Sequence, residues 1–145
     1  RMLIDYPFET TRVAINLILK GVLARYPEIK FILSHAGGTL PFLAHRVSIF
    51  DKMTQFKENY SEGALYYLKR FWFDTALSGN NVPLSGLTSV ADKTRILFGT
   101  DYPYISADVV TKETVGFDSW QGFTEIDRFA VNRCNAELLF PRFKK

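Results

Sequence analysis

Lys30-Phe31-Ile32-Leu33-Ser34-His35-Ala36-Gly37-Gly38-Thr39-Leu40-Pro41 is the stretch that decides the fold. Phe31, Ile32 and Leu33 form a short apolar run, the pattern of a strand buried on both faces. The run stops at a histidine and a Gly-Gly turn. Leu40 then opens a helix with Pro41 in its first turn, where the missing N–H costs nothing. This helix carries Phe42, Leu43, Val47, Ile49, Phe50 and Met53 and is predicted to end near Phe56. A buried strand that passes through a tight turn into a helix is one step of a parallel α/β layer.

The flanking sequence repeats that step. Upstream, Thr10 to Tyr26 reads as an amphipathic helix, with Val13, Ala14, Leu17, Ile18, Gly21 and Val22 on one stripe. Thr10 or Thr11 can cap its start and Pro27 stops it. Downstream, Ser61 to Arg70 reads as a short helix feeding a second strand, Phe71-Trp72-Phe73-Asp74-Thr75. Asn80 to Pro83 reads as a loop, Leu84 to Val90 as a weak helix, and Thr94 to Gly99 as a third strand. Tyr104 to Gly122 has no clear period and is expected to be irregular. A last helix is predicted from Thr124 to Phe140. The alternation implies parallel strands joined by right-handed crossovers, with residues 1–145 as a single α/β unit.

Composition narrows the class. Of 145 residues, 47% are hydrophobic and 15% aromatic, enough to build a core and too many for a disordered or low-complexity chain. The single cysteine, Cys134, excludes an intrachain disulfide and reads as a small packing residue. A net charge of +3 from 18 basic and 15 acidic residues is too small and scattered to suggest nucleic acid. No apolar run approaches the ~20 residues that span a bilayer. The opening residues show no basic-then-apolar leader, so the expectation is a cytoplasmic protein without a membrane partner.

Two polar residues follow strands directly: His35 after the first and Asp101 after the third. In parallel α/β folds that end of the sheet is where ligands bind. A histidine there can relay protons near neutral pH, and a carboxylate can hold a cation or act as a base. The glycines after His35 would let the backbone approach a ligand closely. Each residue also has a plainer reading. His35 can be a hydrogen-bonded core residue, and Asp101 can cap the turn before Pro103. Asp74, at the end of the middle strand, is read as structural. His45 lies inside a helix without a partner at metal-ligand spacing, and Arg46 reads as a solvated charge or an anion clamp.

Several segments together resemble one family. Tyr26 to Arg46, Phe71-Trp72-Phe73-Asp74-Thr75-Ala76, Arg95 to Tyr104 and Asn135 to Phe140 are similar to the later part of amidohydrolase-related proteins. More narrowly, they look like the branch containing aminocarboxymuconate semialdehyde decarboxylase and the hydroxybenzoate (resorcylate) decarboxylases. The resemblance implies a partial TIM (β/α)8 barrel, with the three strands matching barrel strands six to eight. It further implies a divalent metal, zinc foremost, and a small carboxylated substrate. His35 would be the general acid/base beside the metal-bound water. Asp101 would bind the metal or orient that water. Arg46 would reach the substrate carboxylate across a dimer interface.

A full barrel takes ~250 residues. The family's first-strand His-x-His and fifth-strand histidine have no counterpart among the 2 histidines of this chain. One histidine and one carboxylate fall short of the three protein ligands of a catalytic zinc site. Two functions therefore stand side by side. One is the C-terminal part of a metal-dependent hydrolase or non-oxidative decarboxylase. The other is a catalytically silent fragment acting as an assembly or binding module, with no metal bound by this chain. Open strand edges imply association in either case, as a homo-oligomer or with a companion chain that supplies the rest of the barrel.

Overall fold

A computed structural model describes residues 3–53 and 58–144. Three short strands, β1 (Ile32–Leu33), β2 (Trp72–Asp74) and β3 (Ile96–Leu97), form one parallel sheet in the order β1-β2-β3. Ile32 lies opposite Trp72, Leu33 opposite Phe73, Phe73 opposite Ile96 and Asp74 opposite Leu97. The strands stand where the apolar runs put them but are two or three residues long.

Because side chains alternate along a strand, this register sorts the sheet into two faces. Leu33, Phe73 and Ile96 point one way and join the main core. They meet Ala14 and Ile18 of α1 (Asp5–Leu19), Leu23 of α2 (Val22–Arg25) and Leu40, Ala44 and Val47 of α3 (Leu40–Ile49). Ala64, Tyr67 and Leu68 of α4 (Ala64–Leu68), Leu84 and Leu87 of α5 (Asn81–Val90) and Phe117 of α6 (Ala107–Ser119) complete it. Ile32, Trp72 and Leu97 lie outside that cluster, on the other face. Ile32, which was expected to be buried, is 42% exposed because β1 is an outer strand. Among the described residues no helix is long and apolar enough to cross a membrane.

Several boundaries depart from the sequence reading, each for a visible reason. The first helix starts at Asp5, so Thr11 lies inside it and does not cap it. Its buried hydroxyl donates to Pro7 O at 2.8 Å and accepts from Thr39 N at 2.9 Å, tying α1 to the start of α3. Gly21, at φ +65°, ends the run before Pro27; any side chain there would strike the Asn59 carbonyl. Asn80 is not loop but the N-cap of α5, its side-chain oxygen accepting from Val82 N at 3.0 Å. The predicted end of the third helix near Phe56 falls outside the described residues; α3 gives way to a tighter turn at Phe50–Lys52.

The segment expected to be irregular is the helix α6. Val109, Val110, Thr111, Thr114 and Val115 are β-branched and Gly116 is a poor helix former, so its pattern is weak. Gly116 is there for packing: a Cβ at this position would collide with the Gly79 carbonyl. The last helix is interrupted. Thr124 and Asp127 form a reciprocal capping box at the start of α7 (Glu125–Phe129). A π turn at Ala130–Cys134 then leads into α8 (Asn135–Leu139). Phe98 N donates to Val131 O, in that turn, at 3.0 Å. Asn135, buried, donates from Nδ2 to Lys93 O at 2.8 Å and Ile96 O at 2.7 Å. The side of β3 away from β2 is therefore partly occupied, whereas β1 remains an outer strand.

Candidate functional site at the carboxyl ends of the strands

The three strands deliver His35, Asp74 and the Gly99-Thr100-Asp101 turn to one end of the sheet. The chain turns sharply as it leaves β1: His35 and Ala36 both take left-handed backbone angles, at φ 55° and 54°. Such conformations are uncommon for residues with a Cβ and gather at functional sites. Asp101 does the same after β3, at φ 68°, and its carbonyl accepts from Tyr104 N at 2.9 Å and Ile105 N at 3.3 Å.

Asp74 sits between them. Its Oδ1 accepts from His35 N at 2.9 Å and from Ala76 N at 3.1 Å. Burial pushes the Asp74 carboxyl above its ordinary value; the two N–H donors and His35 pull it down, and the Asp101 charge pushes it further up. The two carboxylates thus feel each other across the strand ends. Gly99 makes room for this, since a Cβ there would come to 3.2 Å from Asp74 Cβ. Next to it, Thr75 Oγ1 accepts from Gly99 N at 3.1 Å and lies 3.3 Å from Gly99 O, fixing the start of the Asp101 turn.

His35 is half-buried. Its Nδ1 is 3.2 Å from Ala76 O. A carbonyl only accepts, so this contact requires the proton on Nδ1 and leaves the lone pair on Nε2. Nε2 has no hydrogen-bond partner among the described residues. The site therefore offers an oriented imidazole with one nitrogen free among the described residues and, at the same end of the sheet, a half-exposed carboxylate at Asp101. The Asp101 side chain makes no hydrogen bond among the described residues.

The other sequence candidates lie elsewhere. Gly37 and Gly38, expected to admit a ligand, approach the protein itself: Gly37 faces the Phe73 ring, and Gly38 the Pro7 carbonyl and Thr11 hydroxyl. His45 and Arg46 are exposed on α3. Arg46 borders an apolar groove between α1 and α3, with Ile15, Leu19, Leu43, Val47 and Phe50. It makes no ion pair among the described residues and is not brought to His35, Asp74 or Asp101. Cys134 is half-buried in the π turn. The link between Asp74 and the His35 backbone was missed, because it depends on backbone angles that no residue type in the run announces.

A metal can be tested against these donors. Asp74 Oδ1 is committed to two backbone N–H groups, leaving Asp74 Oδ2, His35 Nε2 and the Asp101 carboxylate. Among the described residues no three His, Cys, Asp or Glu side chains are grouped so as to hold a metal ion. The described residues by themselves do not supply the donors of a resident metal site.

The comparisons agree on one family. A family model described as amidohydrolase matches residues 4–142. The 6-methylsalicylic acid decarboxylase of Penicillium expansum is 39% identical over 141 residues, 97% of this chain and 43% of that protein. The 2-amino-3-carboxymuconate-6-semialdehyde decarboxylase of Dictyostelium discoideum is 26% identical over 85% of this chain and 34% of its own length. A dihydroxybenzoic acid decarboxylase from Polaromonas sp. JS666, solved with manganese and the inhibitor 2-nitroresorcinol, superposes with a TM-score of 0.77 at 25% identity. That match covers 96% of this chain and 42% of the other. The chain thus spans less than half the length of these relatives, and by its match over nearly all of its residues it belongs to the amidohydrolase family, beside these decarboxylases.

Proposed function

We propose that this chain forms part of the active site of a non-oxidative decarboxylase acting on a hydroxylated aromatic carboxylate. The observation that carries the reading is His35 Nε2, without a partner among the described residues, on a ring held by Ala76 O at the strand end that also carries Asp74, with which Asp101 interacts. Decarboxylation of such a substrate adds a proton to the ring carbon that bears the carboxylate. The bond to the carboxyl carbon then breaks, CO2 leaves, and the electron pair returns to the ring. With Nδ1–H held by Ala76 O, a protonated His35 delivers that proton from Nε2. Hydrolysis is the other chemistry open to such a site; the relatives' activities favour decarboxylation.

The finer architecture belongs to this proposal. A sheet whose main core gathers residues from helices α1 to α6 on a single face suits a segment of a (β/α)8 barrel better than a doubly wound sheet. The three strands would be barrel strands six to eight, in the C-terminal part of the whole protein. Ile32, Val13 and Tyr6, exposed along the outer side of β1, would meet the next strand and helix. That strand would belong either to a longer polypeptide or to a second chain. The metal, zinc or manganese, would take Asp101 as one ligand and find the others outside this chain. Arg46, which makes no ion pair among the described residues and stands at the rim of its groove, is proposed to hold a substrate carboxylate of a neighbouring subunit.

A chimera tests the reading: this chain replaces the matching 141-residue segment of the Penicillium decarboxylase. The folded, manganese-loaded chimera is expected to release CO2 from 6-methylsalicylate, and His35→Ala to remove ~10²-fold or more of that rate. A folded, metal-loaded chimera without turnover would overturn the proposal.

A further inference from the structure

Asp74 has no free role in the chemistry above, yet its carboxylate is the point on which the geometry of His35 turns. One oxygen, Oδ1, accepts from the His35 main chain at 2.9 Å and from the Ala76 main chain at 3.1 Å. The carbonyl of that same Ala76 faces His35 Nδ1 at 3.2 Å. Thus the backbone that carries the imidazole and the acceptor that reads its proton are both anchored to a single atom. The anchor joins the turn's own bonds, Gly37 N to Ser34 O at 3.0 Å and Gly38 N to His35 O at 2.8 Å, in holding two consecutive left-handed residues, a conformation that persists only where the surroundings over-determine it.

We propose that Asp74 is a positioning residue that sets the tautomer of His35, keeping its proton on Nδ1 and its lone pair on Nε2. A free histidine ring favours the opposite tautomer, with the proton on Nε2, which would turn the exposed nitrogen from an acceptor into a neutral donor. The loop between β2 and α5 therefore acts on the ring through two hydrogen bonds, without touching the reacting atoms. The functional consequence rests on the proton-transfer role given to His35 above, whereas the tautomer itself is a property of this chain alone.

Ring 15N spectra of the 145-residue chain read the tautomer directly, in buffer alkaline enough to keep both rings neutral. The chain has only two histidines, and exposed His45 is the internal reference. The expected wild-type result is Nδ1–H for His35 and mainly Nε2–H for His45. In Asp74→Ala, His35 is expected to move to the His45 pattern while His45 stays unchanged. Asp74→Asn, whose amide oxygen can accept the same two bonds, is expected to preserve the Nδ1–H form. In that variant the His35 and Ala76 backbone amide protons should shift upfield together, because both lose a charged acceptor.

A wild-type His35 carrying its proton on Nε2 overturns the proposal, as does a folded Asp74→Ala with an unchanged His35 ring. If Asp74→Ala does not fold, Asp74→Asn decides: amide protons that stay in place, or only one that moves, overturn the shared anchor. These readouts involve no turnover, so an inactive chimera with a correct tautomer would discard the decarboxylase reading and leave the positioning role standing.

Discussion

The two ends of the same three-stranded sheet are built on opposite plans. At the amino end, long polar side chains reach back to satisfy carbonyls. Arg70 donates to Leu23 O at 2.8 Å and Pro27 O at 3.2 Å, Arg95 to Arg70 O at 3.1 Å, and Asn135 to Lys93 O and Ile96 O. Arg95 also lies 5.4 Å from the centre of the Trp72 ring, a cation–π contact. At the carboxyl end, left-handed residues and two half-buried carboxylates stand together. One end spends its polar atoms on cohesion, and the other holds groups in conformations and charge states that a stability-driven design would avoid. Parallel α/β folds divide their work along this axis, with binding at the carboxyl ends of the strands.

The sharpest test of the contrast removes a polar group from the cohesive end. Asn135→Ala removes the side-chain donor to the Ile96 carbonyl and one of the two donors to Lys93 O, which keeps the Ile96 N–H, and is expected to lower stability by about 2 kcal/mol in urea unfolding. Loss of less than about 0.5 kcal/mol, within the range of ordinary surface changes, would erase the distinction between the ends. The reciprocal change at the other end should behave differently. Asp101→Gly relieves a left-handed residue and a nearby like charge, so it is expected to cost nothing and to gain up to about 1 kcal/mol. In the active chimera the same substitution should abolish turnover. A large loss of stability would show that Asp101 is structural after all.

The smallest effect concerns acid. Beside Lys93 and the Thr124 cap, the Asp127 carboxyl is held down to about 2. A depressed carboxylate stabilises above its unfolded value near 3.8 and loses that contribution as pH falls toward 2. Asp127 is close to solvent, so the contribution is below about 1 kcal/mol. Asp74 has the opposite sign. Its raised value means that ionisation disfavours the fold, so its contribution is present at low pH and lost as pH rises past 3.8 and through the higher folded value. Stability measured against pH for Asp127→Asn and Asp74→Asn should therefore diverge from wild type in opposite directions. Parallel profiles would contradict the assignment of the two carboxylates to the two plans.

How much of this was legible in sequence follows from what each feature depends on. The strands show because Phe31-Ile32-Leu33, Phe71-Trp72-Phe73 and Ile96-Leu97-Phe98 are apolar runs, and their place in the sheet follows from burial. Asp101 and His35 show because they sit directly after such runs. Helix α6 does not show, because Gly116 weakens its pattern for the sake of contact with Gly79. The role of Asp74 does not show either, since it depends on the backbone angles of His35 and on Ala76, 41 residues away from that histidine. Likewise nothing near Asn135 indicates that its amide holds a strand 39 positions earlier. Local pattern reveals elements, whereas the couplings between their ends appear only once the chain is folded.

The π turn at Ala130–Cys134 makes one side of the candidate site depend on the last helix. β3 has only two residues, too few to hold its own register. Its neighbour Phe98 and its first carbonyl are secured by Val131 and Asn135, which lie more than thirty residues later in the chain. The strand that leads to Asp101 is thus held on one side by β2 and the Thr75 hydroxyl and on the other by the last helix. Displacing that helix would loosen the Asp101 side of the site and leave the His35–Asp74 contact, made across another strand pair, in place.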